Sequence, residues 1–184
     1  VRGEVVDAGR MEDAIDQLAA RCGELLVAKG AGERVVIGIA GAPGSGKSTL
    51  ARELSRALGE SAVAVGMDGY HLPRAALDAE GMARRGAPFT FDARAFVAAA
   101  RTLSDCSARV LWPGFDHGVG DPVEGQIAIM PEARVVICEG NYLMLDAPVW
   151  EELAAPGVFD ERWFVRAPRR RVLCARAGAP ARRR

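Results

Sequence analysis

The chain has 184 residues, 24 of them basic and 24 acidic, and nearly half are hydrophobic. That balance excludes a disordered polyelectrolyte and suits one domain of ordinary size. It contains no run of about 18 apolar residues, so no membrane-spanning helix is expected.

The opening Val1-Arg2-Gly3-Glu4 lacks the charged-then-apolar layout of a signal peptide, so a cytoplasmic location is expected. Met11, Ile15, Leu18, Cys22, Leu25 and Leu26 recur at helical spacing and predict an amphipathic helix over 11–29. Gly30-Ala31-Gly32 ends it. Val35 to Ala40 is a short β-branched apolar run, as in a strand buried on both faces of a parallel sheet. After a glycine-rich loop, Leu50, Leu54 and Leu58 predict a helix. A second strand is expected at 62–66, then a loop with a short helix over 72–91. Asp92 is placed to cap a helix carrying Phe96, Val97, Ala100 and Leu103. Val110–Trp112 reads as a strand, and 113–125, rich in Gly, Pro and Asp, as a long functional loop. Val135–Cys138 is another buried strand ending in Glu139-Gly140, followed by a short helix at 149–153 and a strand at 162–165. The alternation predicts an α/β three-layer sandwich with a mostly parallel sheet.

The four cysteines, Cys22, Cys106, Cys138 and Cys174, form no CxxC pair, so neither a zinc site nor a disulfide framework is expected. Cys138, inside an apolar run, is expected to be buried. Nine arginines and no acidic residue fall from Arg162 onward, which leaves the preceding chain acidic. That tail lacks interleaved aromatics, so it is a poor match to a nucleic-acid-binding segment.

Gly41-Ala42-Pro43-Gly44-Ser45-Gly46-Lys47-Ser48 satisfies GxxxxGK[ST] in full, and Thr49 follows. The context fits: a buried strand precedes the motif and a helix follows. Glycines let several backbone N–H groups turn toward one phosphate at a helix N-terminus. Lys47 can reach the β- and γ-phosphates, and Ser48 can ligate Mg²⁺. Only two of the basic residues are lysines, Lys29 and Lys47, so this chain, otherwise committed to arginine, keeps a compact point charge in the loop. The expected ligands are ATP and Mg²⁺.

Asp68 and Glu139 each lie at the end of an expected strand, where open parallel sheets bind ligands. Asp68 can accept the proton of an attacking hydroxyl, or it is a turn aspartate before Gly69. Glu139 can hold the metal's water, or it is a solvated strand-end glutamate. His71 and His117 lie in polar loops, where a surface histidine is the plain alternative.

GAPGSGKST at 41–49, MDGYHLP at 67–73, RRGAPFTFD at 84–92, PGFDHGVGDPV at 113–123 and CEGNYLMLD at 138–146 together resemble the uridine kinase, phosphoribulokinase and pantothenate kinase branch of P-loop kinases. The likeness is strongest to its bacterial nucleoside/nucleotide kinase members. It covers about 35–165 in the family's order. It implies ATP-dependent phosphorylation of a hydroxyl on a nucleoside, pantothenate or a sugar. It assigns Asp68 as base with Lys47 as its catalytic partner, and Tyr70, His71, Arg85, Asp92 and His117 to the acceptor side. A small-molecule hydroxyl acceptor is the expected partner, with no nucleic acid and no membrane, and a homodimer is left open.

Residues 1–165 form the expected kinase domain, and 166–184 an Arg-rich tail. In this branch an arginine-bearing lid helix and a last strand follow Trp163-Phe164-Val165. Here Arg169–Arg176 either begins that lid or belongs to a tail that is out of frame or truncated, with lid and last strand missing or altered. In the latter case the alternative function is a nucleotide-binding module or an ATPase without kinase activity.

Overall fold

The computed structural model describes residues 11–30 and 32–166. The expectations for the Arg-rich tail and for Cys174 lie outside the described residues from 167 onward. In chain order the regular elements are α1 (Met11–Ala28), β1 (Val35–Gly41), α2 (Lys47–Leu58), β2 (Ala62–Gly66), α3 (Ala79–Ala83), α4 (Ala93–Ala100), β3 (Val110–Asp116), β4 (Asp121–Ile129), β5 (Val135–Gly140) and β6 (Glu161–Val165). Single 3₁₀ turns occupy Met67–Tyr70, Pro88–Thr90 and Trp150–Ala154.

Four strands form a parallel sheet in the order β2-β5-β1-β6. All seven residues of β1 are buried. Alternate residues serve opposite faces, as the two-residue strand period requires. Val35, Ile37, Ile39, Val135 and Ile137 pack with Leu18 and Cys22 of α1 and Leu50, Ala51 and Leu54 of α2. Val36, Ala40, Val136 and Cys138 face the other way, onto Phe96, Val97, Leu103 and Trp112. The result is the expected three-layer sandwich. The four-residue spacing of Leu50 and Leu54 therefore places both on the buried face of α2, each burial contributing about 1.5–3 kcal/mol.

The segment 113–125, expected as a loop, is instead most of an antiparallel β-hairpin. β3 runs on to Asp116, and β4 pairs with it from Asp121↔Asp116 to Ile129↔Val110. Gly, Pro and Asp suggested a loop because the hairpin contains a register shift at Pro113, between Trp112 and Gly114, and a tight turn at 117–120. Asp116 holds that turn, accepting from Gly118 N (2.7 Å) and Val119 N (3.2 Å). The expected helix at 149–153 is the 3₁₀ turn Trp150–Ala154, and the helix after Asp92 stops at Ala100, short of Leu103.

Arg34 is fully buried with no carboxylate partner among the described residues, a feature that one arginine among 22 did not announce. Its guanidinium donates to the carbonyls of Ala133 (2.8 Å), Met130 (2.9 Å), Leu103 (3.5 Å) and Asp105. It ties the start of β1 to the chain leaving α4 and the chain leaving the hairpin.

Candidate functional site

The strand order decides the site. β5 lies between β1 and β2, so three sequence-distant segments meet at adjacent carboxyl ends of the sheet: the loop at 41–49 after β1, Glu139 on β5, and Asp68 just past β2.

The loop is built to receive an anion. Gly44 and Gly46 have positive φ, 73° and 98°, in the left-handed region that disfavours other residues. Gly46 is the N-cap of α2 and offers no side-chain hydrogen bond to the first turn, so the leading N–H groups have no capping oxygen. Ser45 Oγ is buried with no hydrogen-bond partner among the described residues. A Cβ on Gly41 would lie 2.8 Å from that oxygen and 2.7 Å from the Val165 carbonyl. An orphaned hydroxyl, uncapped amides and a lysine around one concavity fit a phosphate chain.

Lys47 is only 6% exposed, and its ammonium donates to the Ala42 carbonyl (3.1 Å). Burial pulls its pKa down, while Glu139 and then Asp68 pull it back up, so both carboxylates lie within electrostatic reach of Nζ. Glu139 is pushed up, first by burial and next by Asp68, against the opposing Ser48 hydrogen bond and Lys47 charge. Ser48 Oγ donates to Glu139 Oε1 at 3.0 Å. This joins the two residues expected at the metal, and an oxygen pair suits a hard cation. Among the described residues no three His, Cys, Asp or Glu side chains form a cation cluster, so a metal here would depend on phosphate and water for its remaining ligands.

Asp68 sits in the 3₁₀ turn Met67–Tyr70, and that turn is clamped. A Cβ on Gly69 would come within 2.0 Å of the Pro113 carbonyl. Only glycine lets the turn and the hairpin backbone approach this closely. Trp112 Nε1 donates to the Gly66 carbonyl (2.9 Å) from the same hairpin. His71 packs against Phe91 (ring centroids 3.9 Å) and Phe115 (4.8 Å), with Nδ1 at 2.8 Å from the Asp68 carbonyl. Burial, more than any other influence, pushes the His71 pKa down.

The remaining acceptor-side residues are spread more widely. Arg85 donates through Nη2 to the Gly120 carbonyl (2.8 Å) and to Asp121 Oδ1 (3.1 Å), which brings it to the hairpin turn. His117 is exposed in that turn, its ring 5.2 Å from Phe115. Tyr70 turns toward the core, edge-on to Trp112 (5.0 Å) and Phe96 (5.3 Å). Asp92 caps α4, accepting from Ala95 N (2.9 Å), as its position before the helix suggested. Thr49 is exposed on the first turn of α2.

Tyr142 escaped the sequence reading, although it lies within CEGNYLMLD. Its hydroxyl donates to the Gly86 carbonyl (2.5 Å), and its ring packs on Trp150 (5.5 Å) and Phe91 (5.6 Å). Burial raises its pKa, and the charge of Asp68 adds to the effect. It ties the 84–92 loop to the end of β5. An aromatic two residues past a strand-end Glu-Gly was the available sign.

Fold and cradle define a P-loop α/β protein. No family model matches the sequence. A provisionally named uridine kinase of Schizosaccharomyces pombe is 41% identical over 148 residues, 74% of this chain and 62% of that protein. The crystal structure of a provisionally named fructose transport system kinase from Silicibacter sp. TM1040 superposes with a TM-score of 0.74 at 38% identity, covering 85% of this chain and 78% of that one. A structure described as a possible uridine kinase from Bacillus stearothermophilus gives 0.61 at 26% identity, over 86% and 82% of the two chains. The chain belongs to the P-loop kinases of the uridine kinase family. It spans about three-fifths (62%) of the length of the first curated relatives it matches.

Proposed function

We propose that this chain transfers the γ-phosphoryl group of ATP to a hydroxyl of a small molecule. The observation that carries this reading is the meeting of Lys47, Glu139 and Asp68 at three neighbouring strand ends, with an anion cradle beside them. A nucleotide-binding protein with no acceptor needs the cradle. It does not need a second carboxylate clamped opposite the lysine.

In this reading the loop amides and Ser45 hold the triphosphate, and Lys47 offsets charge on the phosphoryl oxygens. Ser48 and Glu139 would hold Mg²⁺, whose chemistry is to neutralise charge on the β- and γ-phosphates. The acceptor hydroxyl lies against Asp68, which takes its proton as the oxygen attacks phosphorus. The bond from the γ-phosphorus to its bridging oxygen breaks, and ADP leaves. The supporting chemistry is positional: the transition state is loose, so alignment and electrostatics supply most of the acceleration. A nucleoside, pantothenate and a sugar such as fructose are the acceptor classes to test.

The experiment is ADP release by purified protein with and without those acceptors, repeated for Asp68→Asn. Acceptor-dependent release, reduced by about 10²–10⁴ in Asp68→Asn while nucleotide affinity is unchanged, is expected. Equal release without any acceptor indicates an ATPase. Binding without release indicates a nucleotide-binding module.

A further inference from the structure

A cavity of about 470 Å³ lies outside the site described above. It is lined entirely by residues between 76 and 89, and by none of the phosphate cradle, Asp68, Glu139 or Tyr142. Its size falls within the range of small-molecule pockets, about 300–1,000 Å³. Leu77 supplies apolar surface, and Gly81 makes room for it: a Cβ there would lie 3.0 Å from Leu77 Cδ2. One wall is a stack of two planar groups, Phe89 and the Arg84 guanidinium, whose carbon lies 5.0 Å from the ring centroid. Phe89 is 49% exposed and the Arg84 side chain 61%, so a ligand can reach both planes.

The polar lining of this cleft is weighted toward acceptors. Asp78 uses Oδ1 to cap α3, accepting from Gly81 N (2.7 Å), and Glu80 uses Oε1 to pair with Arg84 (3.0 Å). Neither Oδ2 of Asp78 nor Oε2 of Glu80 has a hydrogen-bond partner among the described residues. Two carboxylates against one guanidinium leave the cleft with a net negative charge. An ionised carboxylate only accepts, so the cleft suits a ligand that brings donors. The 84–92 loop divides the cleft from the turn that carries Asp68. Arg84 and Phe89 line the cleft, whereas Arg85 reaches the hairpin turn and Phe91 packs on His71 (3.9 Å) and Tyr142 (5.6 Å).

We propose that this cleft is a second small-molecule site, and that it takes a nucleobase carrying an exocyclic amino group, as in adenine or cytosine. The base stacks on the exposed Phe89–Arg84 pair, as bases do on aromatic rings and guanidinium planes. Its amino group donates to a free carboxylate oxygen of Asp78 or Glu80. A keto base turns a carbonyl oxygen toward the same carboxylates, and two acceptors facing each other leave both unpaired. The inference goes beyond the kinase reading and does not rest on it, since that reading gives no residue of the cleft a part in phosphoryl transfer. A ligand here binds alongside Mg·ATP rather than in competition with it.

The test uses the full chain saturated with Mg²⁺ and a non-hydrolysable ATP analogue, so that the phosphate loop is already filled. Binding is measured by calorimetry for two pairs of probes in which an amino group is exchanged for a keto oxygen: adenosine against inosine, and cytidine against uridine. The amino member of at least one pair is expected to bind saturably and at least tenfold tighter than its keto partner. Ala76→Trp fills the cleft from an exposed position, and Phe89→Ala removes the stacking ring. Each is expected to raise that Kd tenfold or more and to leave affinity for the ATP analogue unchanged. Glu80→Gln is expected to narrow the amino-over-keto preference several-fold. Should Ala76→Trp fail to give a cooperative melt, Phe89→Ala decides, since it only trims an exposed side chain. Amino-selective binding that both variants weaken upholds the cleft, whether or not any acceptor supports ADP release. Nucleoside binding that survives both variants lies elsewhere and overturns the proposal, leaving the kinase reading untouched. No saturable binding of any probe, or equal binding of amino and keto members, overturns it as well.

Discussion

In the proposed kinase reading, the nucleotide side and the acceptor side of this site are built by opposite strategies. The cradle is one contiguous segment, 41–49, strung between a fully buried strand and the helix packed on it. Its donors are largely main-chain amides. The acceptor side draws on the four separate segments 67–73, 84–92, 113–123 and 138–146. It is joined by long-range contacts such as Trp112 to Gly66, Arg85 to Asp121 and Tyr142 to Gly86. A triphosphate is common to many proteins and can be held by a local backbone motif. An acceptor is particular to each protein and needs side chains from several loops to define its shape. Substitutions in the cradle should therefore act locally, and those on the acceptor side should spread between loops.

The largest effect is expected at Lys47. Lys47→Ala should lower acceptor-dependent turnover by about 10²–10³ and leave the melting temperature without nucleotide close to that of the parent. Activity and thermal melting check both halves. Next comes Gly69→Ala. Its Cβ would drive into the Pro113 carbonyl, so turn and hairpin must separate. A loss of about 1–3 kcal/mol in denaturant unfolding is expected, with acceptor KM rising and nucleotide affinity nearly unchanged. An equal loss of nucleotide affinity would break the proposed division.

Tyr142→Phe removes one hydroxyl and leaves the Gly86 carbonyl without that donor. A loss of about 1 kcal/mol is expected, with a several-fold rise in acceptor KM as the 84–92 loop loosens. The smallest effect belongs to His71. Burial holds its folded pKa below the ordinary value of about 6.5. The unfolded chain therefore binds the proton more readily, and stability falls as pH drops through about 6.5 toward the depressed folded value. His71→Phe should remove that part of the slope, seen as a smaller fall in melting temperature between pH 7.5 and pH 5.5.

Sequence reading went furthest where structure is local. The buried strand before 41–49, the helix after it, the Asp92 cap and burial of Cys138 all follow from residues within a few positions of one another. It went wrong at 113–125, where Gly, Pro and Asp, residue types common in loops, sit inside a paired hairpin whose pairing Gly114↔Val123, Phe115↔Pro122 and Asp116↔Asp121 those types do not signal. It passed over Arg34 and Tyr142, whose side-chain hydrogen-bond partners lie 69–99 and 56 residues away in the chain.

By itself the sequence determined the phosphate cradle, since GxxxxGK[ST] between strand and helix fixes backbone geometry within nine residues. The sequence also marked Asp68 and Glu139 as strand-end carboxylates, but the tertiary structure alone decided that their strand ends are neighbours of that cradle. Strand β5 enters the sheet between β1 and β2, and this insertion sets Glu139 and Asp68 beside Lys47 from about 90 and 20 residues away. The physical reason is that strand order is selected by packing whole elements against two helical layers, a choice no single segment contains.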